Sequence, residues 1–185
     1  ASRETRMSNS LRLFRGKEIM TTFPTTFRFV IRATLILLAF VIGESTVAGL
    51  GARTHELALA GQFAKQLAAY LDTSVEWHVL GRNGVTARRT IDELVPHIPD
   101  EQFDYILLGL GGNDVMRLSS PRKWRRDMTE LLAILKHKNP QAVIFITNCP
   151  MIVASPIMPE PIRGLLWRLS QMHDANIREF TREMN

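Results

Sequence analysis

The sequence predicts an α/β domain, a parallel sheet with helices on both of its faces. Three observations predict it. Short apolar runs of strand length alternate with segments whose apolar residues recur at i, i+3, i+4 spacing. The first of these runs, TLILLAFVI at 34–42, is apolar without alternation, as expected of a strand covered on both faces. The 185 residues contain no repeat, no low-complexity tract and no linker that would divide two cores, and their length suits one domain.

Taken in order, the elements follow from local pattern. After the strand at 34–42, a helix is expected around 55–71. Ala60, Phe63, Ala64, Leu67, Ala68 and Leu71 make its apolar stripe, and Thr54 is its cap. VEWHVL at 75–80 reads as a second strand. A helix around 85–95 follows, with Ala87, Ile91, Leu94 and Val95 on one side and Pro96 closing it. FDYILLGL at 103–110 is a third strand. Ser120 and Pro121 have the residue types of a helix cap and first position, and Trp124, Met128, Leu131, Leu132 and Leu135 form the buried face behind them. AVIFITN at 142–148 is a fourth strand. The proline-rich loop 149–161 leads to a last helix near 162–181.

In a parallel sheet of this kind, ligands bind beyond the carboxyl ends of the strands. That rule selects the loops 43–54, 81–85 and 111–120, each of which contains glycine. The first carries Ser45 in GESTVAGLGA, the second Gly84 in GRNGVTA and the third Asn113 in GGND. A hydroxyl, a backbone N–H unobstructed by a side chain and an amide NH₂ converging on one edge are what acyl transfer needs. The hydroxyl attacks the carbonyl, and fixed N–H donors hold the oxyanion that develops. The backbone N–H of Ser45 is a further candidate donor. The same loop lacks the glycine spacing and the G-K-[ST] ending of a phosphate-binding loop, and it lacks G-x-S-x-G.

The ordered set GES after the first strand, NG-T after the second and GGND after the third resembles the SGNH (GDSL-type) hydrolase family, over roughly residues 33–182. The resemblance implies a three-layer α/β/α, flavodoxin-like fold with strand order 2-1-3-4-5. It also implies esterase or lipase-type hydrolysis without a metal or other cofactor, acting on a small-molecule ester. Short acyl esters, acetyl included, are the default substrate. By the same resemblance Ser45 matches the nucleophile, Gly84 and Asn113 match the oxyanion donors, and Asp114 matches an acid that orients its loop. Two departures stand out. Glu44 occupies the position where the family has aspartate. No histidine completes the family's D-x-x-H: the residues three before the five histidines are Ala52, Val75, Leu94, Ile134 and Ser170. The expectation is therefore a sheet of order 2-1-3-4 whose fifth strand is missing, with the catalytic His and Asp beyond Asn185. The fourth strand would then be an exposed edge inviting self-association. Within the chain, His55 is the candidate substitute base. His173 and Asp174 are helix neighbours pointing about 100° apart, and His173 is expected in the core. The alternative to an enzyme is a catalytically silent fold of this type that binds a ligand or a protein.

Composition excludes other classes. A single cysteine, Cys149, rules out an internal disulfide and a cysteine-rich metal site. The formal charge of +5 belongs to residues 1–32, which hold seven basic and two acidic side chains, while residues 33–185 are balanced. Residues 1–32 are expected to be a flexible basic arm ahead of the hydrolase domain at 33–185. The arm could make weak contact with a membrane surface; no nucleic-acid partner is expected. The run 33–43 is too short to span a bilayer comfortably. A cytoplasmic location is favoured, with a secreted or membrane-associated one as the alternative.

Overall fold

The computed structural model describes residues 12–18, 36–149 and 158–183. Its elements, in chain order, are β1 (Arg12–Glu18), β2 (Ile36–Gly43), α1 (Leu59–Leu71), β3 (Ser74–Gly81), α2 (Ala87–Glu93), a 3₁₀ turn (Val95–His97), β4 (Tyr105–Gly109), α3 (Gly112–Met116), α4 (Pro121–Lys138), β5 (Val143–Ile146) and α5 (Ile162–Glu183). The sheet order is β1-β3-β2-β4-β5. The four strands β3-β2-β4-β5 are parallel, which is the 2-1-3-4 order expected from the sequence.

The two faces of the sheet are unequal. Phe40, Ile42, Leu80, Ile106 and Leu108 point toward α2, α4 and α5, where Trp124, Met128, Leu131, Leu135, Ile177 and Phe180 complete the larger core. Ala39, Val41, Val75, Trp77, Val79 and Leu107 point the other way, onto Ala60, Ala64, Leu67 and Ala68 of α1. Strict alternation along β2 and β3 produces the division, since successive side chains of a strand leave on opposite faces. Among the described residues β5 has no strand on its outer side, and Val143 and Phe145 are half exposed.

The structure departs from the sequence reading in four places. Residues 12–18 lie in the arm expected to be flexible, yet they pair antiparallel with β3, Arg12 opposite Gly81 and Glu18 opposite Val75. The outer backbone groups of β3 need hydrogen-bond partners, and a charged segment such as RLFRGKE is the usual composition of a sheet edge. The rest of the arm lies outside the described residues, as do Met151, Ile152, Val153 and Ile157 of the proline-rich loop. Second, α1 starts at Leu59, and Thr54 does not cap it; the cap is Ala58, without a side-chain hydrogen bond. The chain turns first, with the His55 carbonyl accepting from the N–H groups of Ala58 and Gly61. Gly61 permits this turn, because a Cβ there would overlap the Glu56 backbone. Third, the helix expected to end at Pro96 stops at Glu93, and Pro96 sits in the 3₁₀ turn. Fourth, GGND is not a plain loop but opens α3. The Ser120 cap and Pro121 start of α4 are as expected, with the Ser120 hydroxyl accepting from the Lys123 N–H.

Candidate active site

The three loops of interest leave the carboxyl ends of β2, β3 and β4. Those ends are three glycines lying level across the sheet: Gly43 pairs with Gly81 on one side and Gly109 on the other. Each leaves room that a side chain would fill. A Cβ on Gly43 would overlap the Gly109 carbonyl, one on Gly81 would lie 2.5 Å from the Ala48 nitrogen, and one on Gly109 would lie 2.5 Å from Val47 Cγ2. Residues 44–50 therefore fold straight down onto the strand ends. The Glu44 N–H donates to the Gly109 carbonyl at 2.9 Å, and the Glu44 and Ser45 carbonyls accept from Ala48 and Leu50 at 2.9 Å each. Ser45 is half-buried in this tight turn.

A set of hydrogen bonds ties the loops together. Glu44 Oε2 accepts from the Asn113 backbone N–H at 2.9 Å. The Asn113 side chain donates through Nδ2 to the Val85 carbonyl at 2.9 Å. Asp114 Oδ2 accepts from the Ala87 N–H at 3.0 Å. The neighbour of Ser45, the neighbour of Gly84 and Asn113 itself are thus one connected unit. One N–H of the Asn113 amide is committed to Val85, and the NH₂ group carries a second. Gly84 has φ +75°, a value that side chains rarely tolerate, and a Cβ there would meet nothing within 4 Å. The space beside its Cα is open, while its carbonyl accepts from Arg89 Nη1 at 3.1 Å.

The carboxylates under these loops are set by burial. Glu44 is buried, which raises its pKa; the N–H groups of Asn113 and Gly112 lower it, and the nearby Asp114 raises it. Asp114 is fully buried, and burial pushes it up to about 6 against the opposing bond from Ala87 and the charge of Lys123. Its Oδ1 has no partner among the described residues. Cys149 lies behind the site, where burial, with Asp174 and Glu44 nearby, raises its thiol pKa. It stays protonated and is no rival nucleophile. Its N–H donates to Asp174 Oδ1 at 2.8 Å, so Asp174 holds the end of the β5 segment.

The histidines separate cleanly. His173 is in the core, stacked on Trp124 with ring centroids 4.7 Å apart, and Nε2 lies 3.1 Å from the Ser119 carbonyl. Burial lowers its pKa. His78 is buried in β3, 3.6 Å from Glu101. His97 and His137 follow α2 and end α4, where those helices return toward the amino edge of the sheet. His55 lies in the β2–α1 connection that also carries Ser45, and its ring packs against Gly49; a Cβ on Gly49 would come 3.1 Å from His55 Cε1. Among the described residues no group of three or more His, Cys, Asp or Glu side chains is placed to hold a metal ion. None of the described helices is long and apolar enough to cross a membrane.

Glu44, which departs from the aspartate expected at this position, forms the link between the Ser45 and Asn113 loops. An acid directly following a buried strand, among small residues, was the signal available for it.

The profile of the GDSL-like lipase/acylhydrolase family matches residues 41–185. No curated protein matches the chain. Among solved structures, a Parabacteroides merdae ATCC 43184 protein described as a GDSL-like lipase superposes with a TM-score of 0.62 at 16% identity, over 80% of this chain and 73% of that one. An alpha/beta hydrolase, LAE5, from the metagenome of Lake Arreo gives 0.56 at 15%, over 77% and 73%. The acetylxylan esterase Axe2 from Geobacillus stearothermophilus gives 0.52 at 17%, over 77% and 72%. At these identities the likeness is one of fold.

Proposed function

The chain belongs to the GDSL-like lipase/acylhydrolase family and is on that ground a carboxylic ester hydrolase, and we propose that Ser45 is its nucleophile, with Gly84 and Asn113 as oxyanion donors. The observation that carries this reading is the hydrogen-bonded unit Glu44–Asn113–Val85, which brings the Ser45 and Gly84 loops to the same asparagine. The Ser45 hydroxyl attacks the acyl carbonyl. The Gly84 N–H, the remaining Asn113 amide N–H and the Ser45 N–H hold the developing oxyanion, where each such donor contributes about 10²–10³ in rate. A base takes the serine proton and returns it to the leaving alcohol, and water then attacks the acyl-enzyme. Asp114, through the Ala87 N–H, holds the third loop against the second.

His55 is the base favoured within these residues. It is the one histidine carried by the same connection as Ser45, whereas His173 and His78 are buried in packed surroundings and His97 and His137 lie toward the opposite edge. The likeness in fold to an acetylxylan esterase supports small acyl esters of an alcohol or sugar as substrates.

The experiment is hydrolysis of p-nitrophenyl acetate by this chain beside Ser45→Ala and His55→Ala. Turnover that disappears in Ser45→Ala is expected, with a large loss in His55→Ala. Equal, near-background rates for all three would mean that these residues do not make a working esterase; they would sink His55 as the base and leave the ligand-binding alternative standing.

A further inference from the structure

Five large apolar side chains, Met116, Leu118, Ile162, Leu165 and Met172, stand more than half exposed. Two elements bring them together. Along α5, Ile162, Leu165, Leu169 and Met172 follow at i, i+3, i+7 and i+10, a single stripe beside the buried face of the helix. The turn from α3 to α4 runs alongside that stripe. Val115 packs with Leu166 and Leu169, the Ser119 carbonyl lies 3.1 Å from His173 Nε2, and the Pro121 carbonyl accepts from Asn176 Nδ2 at 3.3 Å. Met116 and Leu118, on this turn, therefore border the stripe. Leu118 has φ +55°, a left-handed conformation that is rare for a bulky side chain. It is 59% exposed there, so burial does not account for a leucine at a position that suits glycine or asparagine.

We propose that this patch is a docking surface for a membrane bearing anionic lipids. It is separate from the basic residues 1–32, and it does not depend on the role of Ser45. Contiguous exposed apolar surface marks a contact site, and the charge around it selects the partner. Residues 116–126 and 162–173 hold seven Arg and Lys side chains and no Asp or Glu. Arg117, Arg122 and Arg168 are exposed and form no ion pair among the described residues. Apolar side chains flanked by arginines are the composition of an element that lies in the lipid headgroup region. The alkyl groups enter the acyl boundary while the guanidinium groups meet the phosphates. A second copy of the chain fits poorly, because self-pairing would set arginines against arginines with no acid between them. Met116 lies one turn after Asn113 on α3, so the surface borders the candidate active site.

The test is co-sedimentation of the chain with vesicles of phosphatidylcholine alone and of phosphatidylcholine mixed with phosphatidylserine. Binding is expected to the mixed vesicles, to be weaker on the neutral ones, and to fall as salt is added. Leu118→Gly removes an inserted side chain and relieves the backbone at once, so the fold is kept, as a circular dichroism melt checks. It is expected to weaken binding about tenfold. Arg117→Gln combined with Arg168→Gln is expected to weaken binding to the mixed vesicles about thirtyfold and to leave the neutral ones unchanged. An environment-sensitive fluorophore on Leu165→Cys reports the location, since Cys149 is buried. Its emission is expected to shift to the blue on mixed vesicles. The same label on Tyr70→Cys, exposed on α1 across the sheet, is expected not to respond. No binding to the mixed vesicles overturns the proposal. So does binding that these variants leave unaltered, which then belongs to another part of the chain. Self-association without lipid that Leu118→Gly abolishes assigns the patch to a second copy and overturns it as well.

Discussion

Replacing Asp114 by asparagine changes how stability depends on pH, and the structure fixes the sign. Asp114 is fully enclosed, and its carboxyl titrates at about 6 in the folded chain against an ordinary value of 3.8. The folded chain thus holds its proton more tightly than the unfolded chain does. Stability is greatest while the group is protonated in both states and falls as pH rises from about 4 through about 6. The difference of about two pH units corresponds to about 3 kcal/mol at about 1.4 kcal/mol per unit. Asparagine keeps an oxygen for the Ala87 N–H and cannot ionise. Glu44 adds to the effect in the same direction, since Asp114 raises its pKa by charge. The stability difference between Asp114→Asn and the unaltered chain, from urea unfolding between pH 4 and pH 7.5, should therefore move in favour of the variant by about 2–3 kcal/mol as pH rises. A difference that stays constant over that range would refute the reasoning, and with it the view that this carboxyl is buried against its own charge.

Other consequences are as direct. Glu44→Ala strands the Asn113 N–H and should cost about 1–3 kcal/mol; Glu44→Gln, which keeps an acceptor oxygen there, should cost less, and denaturant melts of the two variants decide it. Gly109→Ala drives a methyl group toward Val47 Cγ2 and should destabilise by about 1–3 kcal/mol, with circular dichroism melts as the measure. The β5 edge is the proposed route of self-association: Phe145→Lys, on the half-exposed side of β5, should lower the apparent mass at high concentration in sedimentation experiments. A monodisperse monomer of the unaltered chain at the same concentration would remove that idea.

What could be read in the sequence was whatever is written in local pattern. The apolar run before Ser45 announced a strand buried on two faces, and the spacing from Trp124 to Leu135 gave the inner face of α4. What escaped depended on contacts between distant segments. β1 is seven residues of mixed charge, indistinguishable from a tail until the open edge of β3 gives its backbone a partner. α3 is five residues long, too short for any periodicity to declare it. The start of α1 was misplaced because Thr54 has the chemistry of a cap, while the actual boundary is set by Gly61 letting the Glu56 backbone fold against it. At the site, the residue types of three loops were legible, but not the bonds from Asn113 to Glu44 and Val85. Those span 69 and 28 positions and exist only once the sheet has ordered its strands.

The row Gly81–Gly43–Gly109 has a consequence for anyone who would redesign the selectivity of this protein. The segment bearing Ser45 is seated on main chain, and main chain offers no rotamers with which to absorb an error. Libraries that vary the exposed Leu50 or Leu57 should yield many folded variants. Libraries that include any of the three glycines should yield mostly inactive ones, although none of the three is assigned a contact with substrate. Deep mutational scanning would see them as a conserved stripe without a ligand, the mark of a seat rather than of a binding site.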